Sequence, residues 1–120
     1  MNFRVQIFDL AGRVVGKLGE VGANLGQFAR PKGVGVDSEG NVHVTDAAFN
    51  NFQIFNPRGE LLLFVGGVGT QPGEFWLPAG MHIDNHDRIF VVDQYNRRVQ
   101  VFQYLGEAYL ARAKADAAKK

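Results

Sequence analysis

Pro78-Ala79-Gly80-Met81-His82-Ile83-Asp84, the tight turn Asn85-His86-Asp87 and the apolar run Ile89-Phe90-Val91-Val92 closed by Asp93 decide how this chain folds. A Gly-rich loop from Gly66 to Phe75 precedes them, and Gln94-Tyr95-Asn96-Arg97 leads on into Arg98-Val99-Gln100-Val101-Phe102. Moved back by 47 residues, the same text reappears without a gap: Gly66 falls on Gly19, Phe75 on Phe28, Pro78 on Pro31, Gly80 on Gly33, Asp84 on Asp37, Asp93 on Asp46 and Gln100 on Gln53. Moved back again, Gln53-Ile54-Phe55 falls on Gln6-Ile7-Phe8 and Gly59 on Gly12. A fixed period of this size with strand-like content marks a repeat architecture.

Each unit reads as four short strands. In the middle unit they span roughly Gly33–Asp37, Asn41–Thr45, Asn51–Asn56 and Glu60–Val65; Val, Ile and Phe fill them and turn residues part them. Asn56-Pro57-Arg58-Gly59 is a turn in which proline presets the second position and glycine takes the last. Asp37-Ser38-Glu39-Gly40-Asn41 turns likewise, with Gly40 supplying a positive φ; the counterpart of Gly40 is Asp87, a less comfortable choice. Ile89-Phe90-Val91-Val92 is apolar on both faces, so its sheet should be covered on both sides. One four-stranded sheet cannot cover itself. Its neighbours should be further copies of the same sheet, stacked face to face, as in a β-propeller.

The pattern G-x-F-x-x-P-x-G-[hydrophobic]-x-[hydrophobic]-D-x-x-G-N-[hydrophobic]-x-V-x-D, followed by N-x-R-V-Q-[hydrophobic]-F, resembles the NHL repeat. It is carried by Gly26, Phe28, Pro31, Gly33, Asp37, Gly40, Asn41, Val44 and Asp46, and again by Gly73, Phe75, Pro78, Gly80, Asp84, Val91, Asp93, Asn96, Arg98, Gln100 and Phe102. The resemblance covers about residues 2–110 and implies an all-β chain: about two and a half four-stranded antiparallel blades of a propeller that most often has six. The middle unit departs from the pattern, with Phe49 where Asn is usual and Asn51 where Arg is usual.

The chain opens partway through a unit. The expected division is a half blade over 2–18, a blade over 19–66 and a blade over 67–110, whose fourth strand would be Glu107-Ala108-Tyr109-Leu110. Residues 111–120 then form an Ala/Lys-rich tail, helical or disordered. Six such units need about 280 residues, so 120 residues close no ring alone. The missing blades would come from a longer chain or from a partner subunit; a free-standing arc is disfavoured, because open apolar faces invite association.

Composition narrows the function. A 46% hydrophobic content with a net charge of +1 excludes a disordered chain. The absence of cysteine removes disulfide and thiol chemistry. No apolar run reaches the roughly 20 residues needed to span a bilayer. No signal-peptide pattern stands at Met1-Asn2-Phe3-Arg4, and a periplasmic or extracellular location is implied by the family resemblance alone. Without residues 107–120, nine basic face ten acidic residues, so no basic surplus marks a nucleic-acid surface.

Asp46 and Asp93 close the second strands, where a carboxylate accepts loop N–H groups or pairs with an arginine such as Arg98. Asp46, Asp93, Asn96 and Arg98 are therefore expected to be structural, as are Phe28 and Phe75, which should plug the gap between blades. The rim candidates for binding are Arg30, Lys32, Trp76, Tyr95 and Arg97, since aromatic residues with arginine anchor binding surfaces. Of His43, His82 and His86, only His82 sits in an innermost strand that would border a central channel. The resemblance extends to amidating lyases that hold zinc with histidines, but a zinc site needs three or four converging ligands. The glycine loops Gly19 to Gly26 and Gly66 to Gly73 lack the following helix that a phosphate cradle requires.

No nucleophile setting and no paired carboxylates at catalytic spacing are present. The expected function is a non-catalytic protein-binding or assembly module, a scaffold or complex subunit without cofactor. The alternatives are a channel-metal lyase or hydrolase, and an RNA-binding rim.

Overall fold

The computed structural model describes residues 5–8, 10–18 and 28–118. The first glycine loop, Gly19 to Gly26, and the opening residues 2–4 lie outside them. Among the described residues nine strands follow in order: β1 (Val5–Phe8), β2 (Val14–Leu18), β3 (Pro31–Val36), β4 (Val42–Asp46), β5 (Asn51–Phe55), β6 (Leu61–Val65), β7 (Pro78–Ile83), β8 (Arg88–Asp93) and β9 (Arg98–Gln103). They form antiparallel sheets in the orders β1-β2, β3-β4-β5-β6 and β7-β8-β9. The chain is a partial propeller, with each sheet a blade or part of one.

Side-chain alternation assigns the strands to two interfaces. Val42, Val44 and Phe55 of the middle sheet pack with Leu18 and Phe28, flanked by Val5, Ile7 and Leu61. From the opposite face, Phe52 and Ile54 pack with Phe75, Ile89 and Val91, flanked by Met81, Ile83 and Phe102. β4 and β5 are buried along their whole length, as expected of a sheet covered on both sides. Phe28 and Phe75 are fully buried, one in each interface.

The third sheet corrects that expectation for its own strands. Ile89 and Val91 are buried, but Val92 is 42% exposed and Phe90 only half-buried. No sheet among the described residues covers that side of β7–β9. A second correction concerns its expected fourth strand. Glu107–Ala118 is an α-helix, α1, so residues 107–110 begin a helix. Ala-rich sequence with Glu107 in the first turn favours that local choice.

The inner strands meet closely. The Thr45 hydroxyl donates to the Ala79 carbonyl at 2.6 Å, tying β4 to β7. Asp87 takes φ 59, where its counterpart Gly40 takes φ 80. The aspartate carboxylate makes bonds that a glycine could not: Asp87 accepts the Ser38 N–H at 2.8 Å and the Ser38 hydroxyl at 2.5 Å, joining two blades. No helix among the described residues is long and apolar enough to cross a membrane.

Candidate functional site

One rim of the arc is built by the β4–β5 and β8–β9 loops together with residues 28–30 before β3 and the loop that enters β7. Asp46 and Asp93 organise it from below. Asp46 is fully buried and accepts N–H groups of Ala29 (2.8 Å), Arg30 (3.1 Å) and Ala48 (2.9 Å). Asp93, equally buried, accepts the Trp76 N–H at 2.8 Å, the Asn96 amide at 2.8 Å and the Arg98 guanidinium at 2.8 Å. Burial pushes the Asp93 carboxyl up, but the bonds from Trp76, Asn96 and Arg98 outweigh it and hold the group below the usual carboxylate range.

Arg98 does more than pair with Asp93. Its guanidinium donates to the carbonyls of Thr70, Gln71 and Glu74, each at 3.0 Å. Asn96 adds a bond to the Gly69 carbonyl at 2.8 Å. The glycine loop from Gly66 to Gly73 is thus held by side chains of its own blade, its carbonyls turned to the Arg98 and Asn96 donors; the arrangement is the reverse of an anion cradle. In the middle blade Asn51 replaces Arg98, and its Oδ1 is buried without a partner among the described residues.

On top of this scaffold stand the rim candidates. Trp76 and Tyr95 stack with centroids 4.5 Å apart and planes 25° apart. The Tyr95 N–H donates to the Trp76 carbonyl at 3.0 Å, which fixes the pair through the backbone. They remain 39% and 60% exposed. Arg97 is exposed beside Tyr95 and adopts φ 55. Arg30 and Lys32 are also exposed, on the entry to and start of β3. The side chains of Arg30, Lys32 and Arg97 make no ion pair among the described residues. At the positions of Trp76 and Tyr95 the middle repeat carries Ala29 and Ala48. The repeat therefore folds without this aromatic pair.

The sequence did not reveal two bonds that join blades near this rim and the opposite one. Asn50 Oδ1 accepts the Leu77 N–H at 2.9 Å. On the far rim, Asn41 donates to the Tyr104 hydroxyl at 2.9 Å. Beside it, within the middle blade, His43 Nε2 meets Asp37 Oδ2 at 2.8 Å. A histidine inside an apolar strand was the available signal for that buried network. Burial lowers the His43 pKa, and the Asp37 bond opposes the shift without reversing it. His43 stacks on Phe52 at 6.0 Å, which makes it a core residue.

His82 lies exposed on β7 with its ring 6.3 Å from Phe90, and His86 lies in the β7–β8 turn. Among the described residues no three His, Asp or Glu side chains gather as a metal ion requires.

A family model described as DUF5128, 6-bladed beta-propeller, matches residues 36–119. No curated protein matches the chain.

Proposed function

This chain belongs to the 6-bladed beta-propeller family, and from that premise we propose that it is a non-catalytic protein-binding or assembly module of the NHL type. Its open blade faces are completed by further blades, from a longer chain or a partner subunit. One observation carries this reading. Val92, Val99 and Val101 are 42%, 55% and 55% exposed on the last sheet, whereas their counterparts Thr45, Phe52 and Ile54 on the middle sheet are 0%, 1% and 3% exposed. The same positions of the same repeat are core in one blade and surface in the next. Covering the exposed half of each such valine is worth about 1 kcal/mol. Val34 and Val36 on β3 are similarly open, at 51% and 57%, opposite the half blade formed by β1 and β2.

The cover has a shape requirement. Gly35 faces Ile83, and a methyl group on it would stand 2.8 Å from the Ile83 Cγ1. His82 occupies the corresponding position on the last sheet. A sheet docking there needs a small residue opposite His82.

Light scattering on the purified chain tests the proposal. Particles should be larger than the 13.2 kDa chain, and Val99→Glu with Val101→Glu should return them to monomer. A monodisperse monomer that binds no apolar dye would overturn it.

The Trp76–Tyr95 pair supports a second element of this reading. We propose that it anchors a partner protein on the rim, with Arg97, Arg30 and Lys32 supplying charge around it. Trp76→Ala should abolish capture of that partner while leaving the thermal midpoint within about 2 °C, because the middle blade folds with alanine there.

A further inference from the structure

The two blade interfaces correspond residue by residue under the 47-residue shift, with one gap. At the first interface Leu61 packs against the cluster that contains Leu18, Val42 and Phe55, beside Val5 and Ile7. The counterparts of those five residues are Val65, Ile89, Phe102, Phe52 and Ile54. They line an open groove of about 320 Å³. The counterpart of Leu61 is Ala108, which α1 carries away from the groove.

The strand beside the groove also has one edge unpaired among the described residues. β5 pairs with β6, but its counterpart β9 ends its sheet. The chain that follows β9 matches what is missing: Gly106-Glu107-Ala108-Tyr109-Leu110 falls on Gly59-Glu60-Leu61-Leu62-Leu63. As a helix this segment is lightly held. α1 has 12 described residues, a length at which an isolated helix is marginal in water. Leu110 is 55% exposed. Its fastenings to the sheets include the Glu107 N–H donating to Glu39 at 3.3 Å and Arg112 donating to the His86 carbonyl at 2.9 Å.

We propose that residues 107–111 form a strap with a second, extended state: the fourth strand of the last blade, paired with β9 and placing residue 108 in the groove. The helical state leaves the β9 edge and the groove open to another strand; the extended state closes both. Alanine fills the groove less well than the leucine at Leu61, which keeps the two states close in free energy. This rests on the blade reading of the sheets and requires no partner.

The chain has no cysteine, so an introduced pair reports cleanly. In the middle blade Ile54 pairs with Leu63, so the extended state places Val101 opposite Leu110. Both residues are 55% exposed in the helical state, so their replacement leaves the core intact. Under mild oxidation the V101C/L110C chain, read on the monomer fraction, should form an internal disulfide at least tenfold faster than V101C/A111C. In a strand, residue 111 points to the other face; in a mobile helix the two pairs would react alike. Adding Ala108→Leu, which restores the residue found at Leu61, should speed the V101C/L110C reaction at least threefold and lower the helical circular dichroism. Equal rates for the two pairs, or no internal disulfide, would overturn the strap. So would a disulfide found only between chains, which would assign the edge to a second copy. Failure of the assembly reading would show instead in particle mass and leave this internal bond unchanged.

Discussion

Gly33 of β3 lies against Met81 of β7: a methyl group on Gly33 would stand 2.8 Å from the Met81 backbone nitrogen and 3.0 Å from the Ala79 carbonyl oxygen. The inner strands of adjacent blades converge here, so the absence of a side chain sets their spacing. Gly33→Ala should destabilise the chain by about 1–3 kcal/mol, measured by thermal or denaturant unfolding. Gly80→Ala is the internal control. It occupies the same place in the repeat but has nothing within 4 Å, and should change stability by no more than about 0.5 kcal/mol. Equal effects at the two glycines would contradict the close approach.

Arg98 reaches three loop carbonyls and one buried carboxylate, a geometry that suits a planar fork and not a single ammonium. Arg98→Lys should cost about 1–3 kcal/mol. It should also speed amide exchange in residues 67–75 while leaving β4 and β5 protected. Uniform loss of protection would point to global unfolding instead.

Asp87 sits at a left-handed φ of 59, where glycine is sterically easier, yet its carboxylate binds Ser38 twice across the blade boundary. Backbone relief and lost bonds therefore oppose each other in Asp87→Gly. Two hydrogen bonds to a charged group outweigh one relaxed φ, and the variant should be less stable by about 1–3 kcal/mol. Ser38→Ala should reproduce part of that loss. A stabilised Asp87→Gly would show that the contact between blades contributes little.

Acid should weaken the fold in two stages. His43 is held below its ordinary value of 6.5, chiefly by burial. Its unfolded form therefore binds a proton more readily than its folded form, and stability falls as pH drops below 6.5. Asp93 is held below 3.8 by the bonds that outweigh its burial; its contribution is present above that value and lost as pH falls through the folded one. Denaturant midpoints measured at steps from pH 8 to pH 3 should decline across both windows. His43→Gln should flatten the upper one and leave the lower unchanged.

Much of the fold was legible because the repeat is exact in length. A 47-residue register fixes which residues must be equivalent, and period-two alternation fixes which face each occupies. The register and the family resemblance together placed Phe28 and Phe75 between blades, and Asp46 and Asp93 at the strand ends. Glu107–Leu110 read as a strand for the same reason, and failed because local helix propensity and an absent neighbouring sheet outweighed the register. The rim was legible as a set of residue types; the stacking of Trp76 on Tyr95 was not, since loop backbones set that distance.

The sequence by itself determined that this protein is built of stacked β-blades, because strands apolar on both faces, recurring in register, have only each other to pack against. Tertiary structure alone decided which faces stay open and which buried polar groups find partners. The bonds Thr45–Ala79, Ser38–Asp87 and Asn50–Leu77 join different blades, and each depends on how closely two sheets approach. That spacing is a property of packed side chains and close-set glycines in three dimensions, which no one-dimensional period encodes.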